Sequence, residues 1–456
     1  MELSPLTAIS PLDGRYRDRT RDLSRWFSEQ ALMRYRLRVE LAYFEFLCGL
    51  PLPELKDVPI SELDAVRLRI DELSTSDAQR IKDIEKVTNH DVKAIEYFLK
   101  ERLEEAGLDQ KRMEFVHFAL TSQDINNTAL PMLLKDFVYE GYLPAMIGLR
   151  NRLHGYALEW ARVPMLARTH GQPASPTRLG KEMQVFVERL DRQLKLLREV
   201  PFSGKFGGAT GNFNAHHAAY PELDWVQLAD EFLEKRLGLE RQQFTTQIDH
   251  YDDMAALFDA MRRVNTILVD LCRDMWQYIS LDYFRQRIKP GEIGSSAMPH
   301  KVNPIDFENA EGNLGLANAL FGFLSEKLPV SRLQRDLTDS TVTRNIGMPM
   351  AHTMISIQAI SKGLGKLLLN ESAMTRDLDG QWAVVAEGIQ TILRQAGFPQ
   401  PYERLKELTR GKERITQEDI ANFIGQLDVT NEIRQRLLGL TPQTYTGMDL
   451  LSRVTP

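Results

Sequence analysis

The sequence predicts an all-α protein with a central bundle of long helices. Apolar residues recur at alternating steps of three and four over long stretches, and the strict apolar–polar alternation of strands is scarce. A helix of about 30 residues is about 45 Å long and can bury its apolar stripe only against similar helices. We therefore expect several long helices packed side by side.

Three stripes carry this pattern most clearly, and they lie at Met146, Leu149, Leu153, Tyr156 and Trp160; at Leu179, Met183, Phe186, Leu190, Leu194 and Leu197; and at Met254, Leu257, Met261, Val264, Leu268, Leu271 and Met275. Apolar seams of this length often extend beyond one subunit, which favours an oligomer. A monomeric bundle is the alternative.

Shorter helices flank the predicted bundle. In the N-terminal part, one helix is expected to begin near Ser76, and Gly107 is a plausible stop for the next. Near the C-terminus, Thr416 and Asp419 resemble a capping box with Asp in place of Glu. The sequence thus predicts three domains: a helical domain over 1–115, the long-helix bundle over 116–368, and a C-terminal helical domain over 369–456.

Composition limits the class of protein. Of the 456 residues 43% are hydrophobic, and the mean hydropathy of −0.33 is ordinary for a globular protein. No apolar run approaches the roughly 20 residues of a membrane span, and no basic start precedes an apolar stretch as in a secretion signal. The two cysteines indicate free thiols, and the net charge of −6 argues against nucleic-acid binding. We expect a cytoplasmic protein that binds neither membrane nor nucleic acid.

Three stretches rich in Gly, Pro, Ser, Thr and Asn interrupt the helical pattern: RTHGQPASPT at 168–177, GKFGGATGNFNAHH at 204–217 and KPGEIGSSAMPHKVNP at 289–304. Binding and catalytic residues concentrate in such segments. The third contains Lys301 and Asn303, which suit either a mobile surface loop or a catalytic lid. His170 in the first is structural or, if a second proton-transfer group joins it, catalytic.

Three further clusters are polar. TNHDVKA at 88–94 and TSQDINN at 121–127 interrupt apolar helical patterns, and helix capping would explain Thr121 or Ser122. SRLQRDLTDSTVTR at 331–344 combines arginines with hydroxyls, which suits a phosphate or carboxylate. A solvated charged turn would look the same.

Several motifs are absent. The sequence contains no P-loop, no dinucleotide-binding fingerprint, no H-E-x-x-H and no cysteine–histidine cluster. We therefore expect catalysis without a metal or redox cofactor.

The segment GSSAMPHKVNP at 294–304 matches the signature G-S-S-x-M-P-x-K-x-N-P of the fumarase/aspartase superfamily at every defined position. Within that superfamily the chain resembles the adenylosuccinate lyase family, in its bacterial form. The supporting segments are SPLDGRY at 10–16, TNHDVKA, TSQDINN, RTHGQPASPT and QRDLTDSTVTRN at 334–345. The resemblance implies a three-domain, all-α fold.

The resemblance also implies a reversible β-elimination. The family converts adenylosuccinate to AMP and fumarate, and the succinylated carboxamide ribotide SAICAR to AICAR and fumarate. Ser295 resembles the general base and His170 the general acid. Lys301 and Asn303 would stabilise the negative charge of the intermediate, and Glu308 would orient His170.

The remaining matches are implied binding groups. Those for the nucleotide phosphate are Arg15, Tyr16, Arg335, Ser340 and Arg344. Those lining the nucleotide and succinyl sites are Asn89, His90, Asp91, Thr121, Ser122, Gln247 and Asn309. Met298 and Thr341 are further implied substrate-binding residues. Whether His90 takes part in catalysis or only binds substrate stays open.

The family is a homotetramer whose active sites draw on three subunits, in agreement with the long apolar seams. The alternatives are another superfamily lyase, such as an argininosuccinate lyase, and a non-catalytic scaffold on the same fold.

Overall fold

The computed structural model describes residues 4–287, 298, 301–410 and 414–453. The chain forms two compact units. The first contains Met1–Met146, Gln193–Thr266 and Gly312–Ile357, and the second contains Ile147–Arg192, Ile267–Glu311 and Gln358–Pro456. Five helices have residues in both: Leu143–Glu159, Leu179–Arg198, Asp252–Ser280, Ile305–Lys327 and Gly347–Leu364.

The long helices confirm the pattern in the sequence. Each of the three apolar stripes lies on one of them, except that Trp160 directly follows the helix Leu143–Glu159, and every stripe residue except the half-buried Tyr156 is buried. The longest helix, Asp252–Ser280, has 29 residues. The periodicity thus marks buried faces of long helices, while the three predicted domain boundaries stay a prediction.

Among its described residues the first unit contains one small pair of strands, Ser203–Gly204 and Glu240–Arg241, which run parallel. Its own α-helices are Arg17–Thr20, Ser24–Phe27, Glu29–Cys48, Leu63–Asp71, Thr75–Thr88, Asp91–Glu105, Gln110–Met113, Ser122–Phe137, Asn214–Ala219, Trp225–Glu231 and Thr338–Thr343. The 3₁₀-helices Arg21–Leu23 and Ile60–Glu62 and the π-helical turns Val138–Tyr142 and Phe232–Leu237 complete it.

Glu29–Cys48 is the central helix of this unit. It packs against Ser122–Phe137 and Asp91–Glu105. Its inward side chains, such as Leu37 and Phe44, are fully buried, and each such burial stabilises the fold by about 1.5–3 kcal/mol.

Helix ends in this unit follow local sequence signals. Ser74 caps Thr75–Thr88 in a reciprocal capping box with Asp77, two residues before the predicted start. Asp91–Glu105 ends just before Gly107, which has φ +89° as a left-handed stop requires. The predicted stop at Gly107 is confirmed.

A proline shapes the contact between Ser122–Phe137 and the strand at residue 203. Pro131 lies inside this helix and has no N–H for the carbonyl of Asn127. Gly204 approaches that carbonyl so closely that an added Cβ would lie 2.9 Å from its oxygen. This close approach brings the following residue, Lys205, into the interior.

The second unit contains a β-hairpin and a cluster of short helices. The hairpin strands are Pro164–Thr169 and Gln172–Arg178, and a second antiparallel pair joins Phe284–Gln286 to Leu367–Leu369. The helices are Glu371–Asp379, Trp382–Val385 (3₁₀), Ala386–Gln395, Pro401–Thr409, Gln417–Gly425, Asn431–Leu438 and Leu451–Arg453 (3₁₀). Thr416 and Asp419 form the predicted capping box of Gln417–Gly425.

Helices dominate the described residues, and the strands among those residues form only two-stranded sheets. This confirms the all-α fold class. Among these helices none is long and apolar enough to cross a membrane.

Candidate active site

His90 and Ser122 meet in the first unit. Asn89, at φ +51°, ends one helix, and His90 caps the next by accepting a hydrogen bond at Nδ1 from the backbone N–H of Lys93, 3.1 Å away. Because Nδ1 is an acceptor, the proton of the neutral ring lies on Nε2. Nε2 is 3.4 Å from Ser122 Oγ, and the ring is exposed. His90 thus presents an N–H donor beside a hydroxyl.

A group of arginines and carboxylates adjoins His90. Asp91 accepts hydrogen bonds from Arg36 Nη2 at 2.9 Å and Arg344 Nη2 at 3.2 Å, while Arg344 Nη1 donates to Glu29 at 2.9 Å. Burial would raise the pKa of Asp91, but the neighbouring arginines outweigh it and hold that pKa below its usual value. Together with Glu29, the charged Asp91 therefore holds the Arg344 guanidinium in a fixed direction, and 42% of the Arg344 side chain stays exposed.

Ser340 and Thr341 lie on the short helix Thr338–Thr343. Ser340 lines a cavity of about 30 Å³ together with Arg36 and Arg344, whereas Thr341 is exposed. Leu32, Leu130 and the carboxylate of Asp339 line the same cavity. The hydroxyl of Ser340 thus lies near two guanidinium groups, in a space that apolar side chains and one carboxylate also border.

Gln247 and Arg335 are also brought together. Arg335 Nη1 donates to Gln247 Oε1 at 3.1 Å, and Gln247 Nε2 donates to the carbonyl of Ala209 at 3.1 Å. Both side chains are half-buried.

Three further predicted binding residues of this unit have simpler surroundings. Thr121 starts the helix Ser122–Phe137, and its N–H donates to Asp124 Oδ2 at 2.7 Å, so the capping interpretation holds for it. Tyr16 lies under the guanidinium of Arg19, 5.9 Å from the ring centre. Arg15 is exposed and makes no hydrogen bond with the described residues.

In the second unit, His170 lies at the tip of the hairpin. His170 and Gly171 form a two-residue turn with φ of +54° and +74°, and Thr169 pairs with Gln172 below it. Two consecutive positive φ values suit the twist of an antiparallel hairpin, although a histidine adopts them at a cost. The turn leaves the imidazole exposed, and it makes no hydrogen bond with the described residues.

An ion pair anchors this hairpin. Arg168 Nη2 donates to Asp377 at 2.7 and 2.9 Å, and Tyr283 donates to the same carboxylate. Burial and the bond to Asp377 raise the pKa of Tyr283 above its usual value. The contact with Asp377 thus holds Arg168, which lies two residues before His170. The sequence alone did not indicate this contact.

The signature segment lies partly outside the described residues. Ser295 lies outside them, Met298 is exposed, and Lys301 and Asn303 precede the helix Ile305–Lys327. Glu308, in the first turn of that helix, accepts a hydrogen bond from Trp276 Nε1 at 3.0 Å. The half-buried Asn309 follows it.

No hydrogen bond joins His170 to Glu308 within the described part of the chain, so the orienting role of Glu308 stays a prediction. Nor do the described residues contain a group of three or more His, Cys, Asp or Glu side chains that could hold a metal ion.

Arg36 is a residue that sequence reasoning missed. It is buried and donates to Asp91 and, through Nε, to Asn126 at 2.8 Å. In the sequence it is one arginine of the RYRLR run at 34–38, and no local signal separates it from its neighbours.

Comparisons with known proteins identify the family of the chain. A family model described as "Lyase" matches residues 14–318, and one described as "Adenylosuccinate lyase C-terminal" matches residues 331–446. The adenylosuccinate lyase of Dictyostelium discoideum is 53% identical over 458 residues, and that of Escherichia coli (strain K12) is 48% identical over 450 residues. Each alignment covers 98% of both chains.

A solved structure shares the fold. The 3-carboxy-cis,cis-muconate lactonizing enzyme from Pseudomonas putida superposes with a TM-score of 0.73 at 22% identity, over 94% of each chain. At this identity the likeness concerns the fold alone.

Proposed function

Because the chain belongs to the adenylosuccinate lyase family, we propose that it eliminates fumarate from adenylosuccinate and leaves AMP. The observation that carries the proposal is the similarity to lyases of that name over 98% of both chains. We extend the proposal to SAICAR, which has the same succinyl-substituted nitrogen and would give AICAR and fumarate.

The elimination breaks a C–H bond at Cβ and a C–N bond, and it forms the double bond of fumarate. Ser295 would accept the Cβ proton, and His170 would donate a proton to the leaving nitrogen. Lys301 and Asn303 would stabilise the extra negative charge on the carboxylate next to Cβ, where fixed donors are worth about 2.7–4 kcal/mol each. The exposed imidazole of His170 at the hairpin tip supports this role.

The phosphate would bind beside Arg344, Arg335 and Ser340. Arg344 supports this assignment best, because Asp91 and Glu29 fix the direction of its guanidinium without hiding it. A planar guanidinium binds two phosphate oxygens at once. We assign Arg15, Tyr16 and Thr341 to the same subsite.

The rest of the substrate would contact residues 89–91, 121–122, Gln247, Met298 and Asn309. For His90 we propose binding rather than proton abstraction. Its Nδ1 is already an acceptor for a backbone N–H, so Nε2–H is the group that it offers to the substrate.

We propose a homotetramer with active sites shared between subunits. Large apolar side chains on the long helices support it, since Leu158, Leu196, Leu316 and Phe323 are each more than half exposed in the single chain. Mixing a His170→Gln variant with a Ser295→Ala variant tests the sharing. Activity should return in the mixture if the two residues act in one site from different subunits, and an inactive mixture of re-assembled tetramers would contradict it.

The decisive experiment follows fumarate release from adenylosuccinate, SAICAR and argininosuccinate. We expect release from the first two only; release from argininosuccinate alone would overturn the assignment. Ser295→Ala should lower kcat by about 10²–10⁴-fold, with the neighbouring Ser296→Ala as the matched control. Near-normal turnover of Ser295→Ala would remove serine as the base.

A further inference from the structure

A buried ion pair anchors the glycine-rich segment 204–217. This segment has no role in the chemistry described above. Lys205 Nζ donates to Asp124 Oδ1 at 2.7 Å, and both side chains are 0% exposed. Burial lowers the pKa of Lys205 below its usual value, and the charge of Asp124 opposes that effect. Moving two charged groups out of water costs free energy, which their attraction only partly offsets. The presence of this pair therefore indicates a role other than stabilising the fold.

The Asp124 carboxylate ties two separate segments together. Oδ1 also accepts from the backbone N–H of Gly207 at 2.9 Å and Gly208 at 3.1 Å, and Oδ2 accepts from the N–H of Thr121. Lys205 Nζ donates in addition to the carbonyl of Gly208 at 2.6 Å. One buried carboxylate thus organises the backbone at residues 207–208 and the start of the helix that carries Ser122.

Close packing restricts the same backbone further along. Gly208 and Gly211 both have φ of +79°. A Cβ on Gly211 would lie 2.4 Å from the carbonyl oxygen of Thr245, and one on Gly208 would lie 3.3 Å from the carbonyl oxygen of Ala119. Residues 207–211 therefore have essentially one path.

The backbone of this segment contacts two proposed substrate-binding residues, Gln247 directly and Arg335 through Gln247. Between Gly208 and Gly211, the carbonyl of Ala209 accepts the hydrogen bond from Gln247 Nε2. The other end of the same amide, Oε1, accepts from Arg335 Nη1. The amide of Gln247 is thus held at both ends, and its orientation depends on where the backbone places the Ala209 carbonyl.

We propose that Asp124 and Lys205 are positioning residues, which act through residues 207–209 to orient Gln247 and Arg335 for the substrate. The inference rests on the proposed function, because it takes those two side chains to be binding groups. The proposed role requires the negative charge of the Asp124 carboxylate. A carboxylate accepts all four N–H donors around Asp124, whereas an asparagine would turn its own NH₂ group toward one of them.

The test is steady-state kinetics of fumarate release by an Asp124→Asn/Lys205→Met double variant. Removing both charges avoids leaving one charge buried alone, so the protein should fold. We expect KM for adenylosuccinate to rise about 5- to 50-fold while kcat changes by less than about threefold, since misplaced binding groups weaken ground-state and transition-state binding alike. Asp83→Asn, which breaks the exposed pair with Lys86, is the control and should leave both constants unchanged.

A double-mutant cycle separates positioning from general loss of structure. In a Gln247→Ala background, the double variant should raise KM by less than about twofold, because the side chain through which the pair acts is already gone. An equal rise in both backgrounds, or an unchanged KM in the folded double variant, would overturn the inference. Wild-type protein that releases no fumarate from adenylosuccinate would instead refute the proposed function.

Discussion

His216 should make the protein sensitive to acid. Its ring is fully buried, with Nε2 3.2 Å from the hydroxyl of Tyr43, and burial lowers its pKa to about 4, aided by Lys205 and opposed by Asp124. In the unfolded chain the imidazole titrates near its ordinary value of about 6.5. Between these two values the unfolded state binds a proton that the folded state refuses, so the free energy of unfolding falls as the pH falls.

The size of the effect follows from the two pKa values. A difference between about 6.5 and about 4 corresponds to about 3 kcal/mol when the pH has fallen through both, and to about 2 kcal/mol at about pH 5. A His216→Gln variant lacks this contribution. Its deficit in stability relative to the wild type should therefore shrink by about 2 kcal/mol between about pH 7.5 and about pH 5.

The assay is urea unfolding at fixed protein concentration, followed by circular dichroism at both pH values. Asp249, whose pKa burial raises to about 6, titrates in this range with the opposite sign. Because both proteins contain Asp249, the comparison removes its contribution. His217→Gln, at the exposed neighbour, is the control and should parallel the wild type. A constant deficit of His216→Gln at both pH values would refute a neutral, buried His216.

Two more substitutions test local arguments. His90→Asn should keep the helix cap, because its side-chain oxygen can accept the same N–H, whereas His90→Ala should lose about 0.5–2 kcal/mol of stability by thermal unfolding. Both should lower kcat/KM by about 10- to 100-fold, since both lack the Nε2–H donor. Gly180→Ala should destabilise the protein by about 1–3 kcal/mol in the same measurement, because its Cβ would lie 2.2 Å from the carbonyl oxygen of Ala157.

A His90→Asn variant with wild-type kcat/KM would show that capping is the whole role of His90. For Gly180→Ala the control is Gly155→Ala, where no described atom lies within 4 Å of the added Cβ and a helix interior should gain about 0.5–1 kcal/mol. Equal stability of the two alanine variants would contradict the packing argument.

Helices were predictable from the sequence because their signals are local. The stripe from Met254 to Met275 and the stop at Gly107 each depend on residues within a few turns of one another. The predicted start near Ser76 lies within one residue of the observed start at Thr75, where the cap is Ser74 in its capping box with Asp77.

The hairpin around His170 was not predicted. Its strands contain Pro173 and Pro176 and lack apolar alternation, so the segment resembles a loop. What makes it a hairpin is pairing between its two halves and the anchor from Arg168 to Asp377, which lies 209 residues away. The secondary-structure propensities of single residues do not reveal a partner so far away in the sequence.

The contacts within the candidate site were out of reach for the same reason. The sequence identified TSQDINN and GKFGGATGNFNAHH as separate polar segments, yet the bond between Asp124 and Lys205 spans 81 residues. Resemblance to a family supplied the roles of individual residues, whereas the hydrogen bonds that orient them are properties of the folded chain.

The two-residue turn at His170 has a consequence for how this gene can vary. Most connections between helices can gain or lose a residue at little cost, because the entropy of closing a loop changes only slowly with its length. Adding one residue between Thr169 and Gln172 would replace a turn with two positive φ values by a longer loop and swing the imidazole away from its present direction. In a library of random single-codon insertions, positions 169–172 should therefore be empty among active clones.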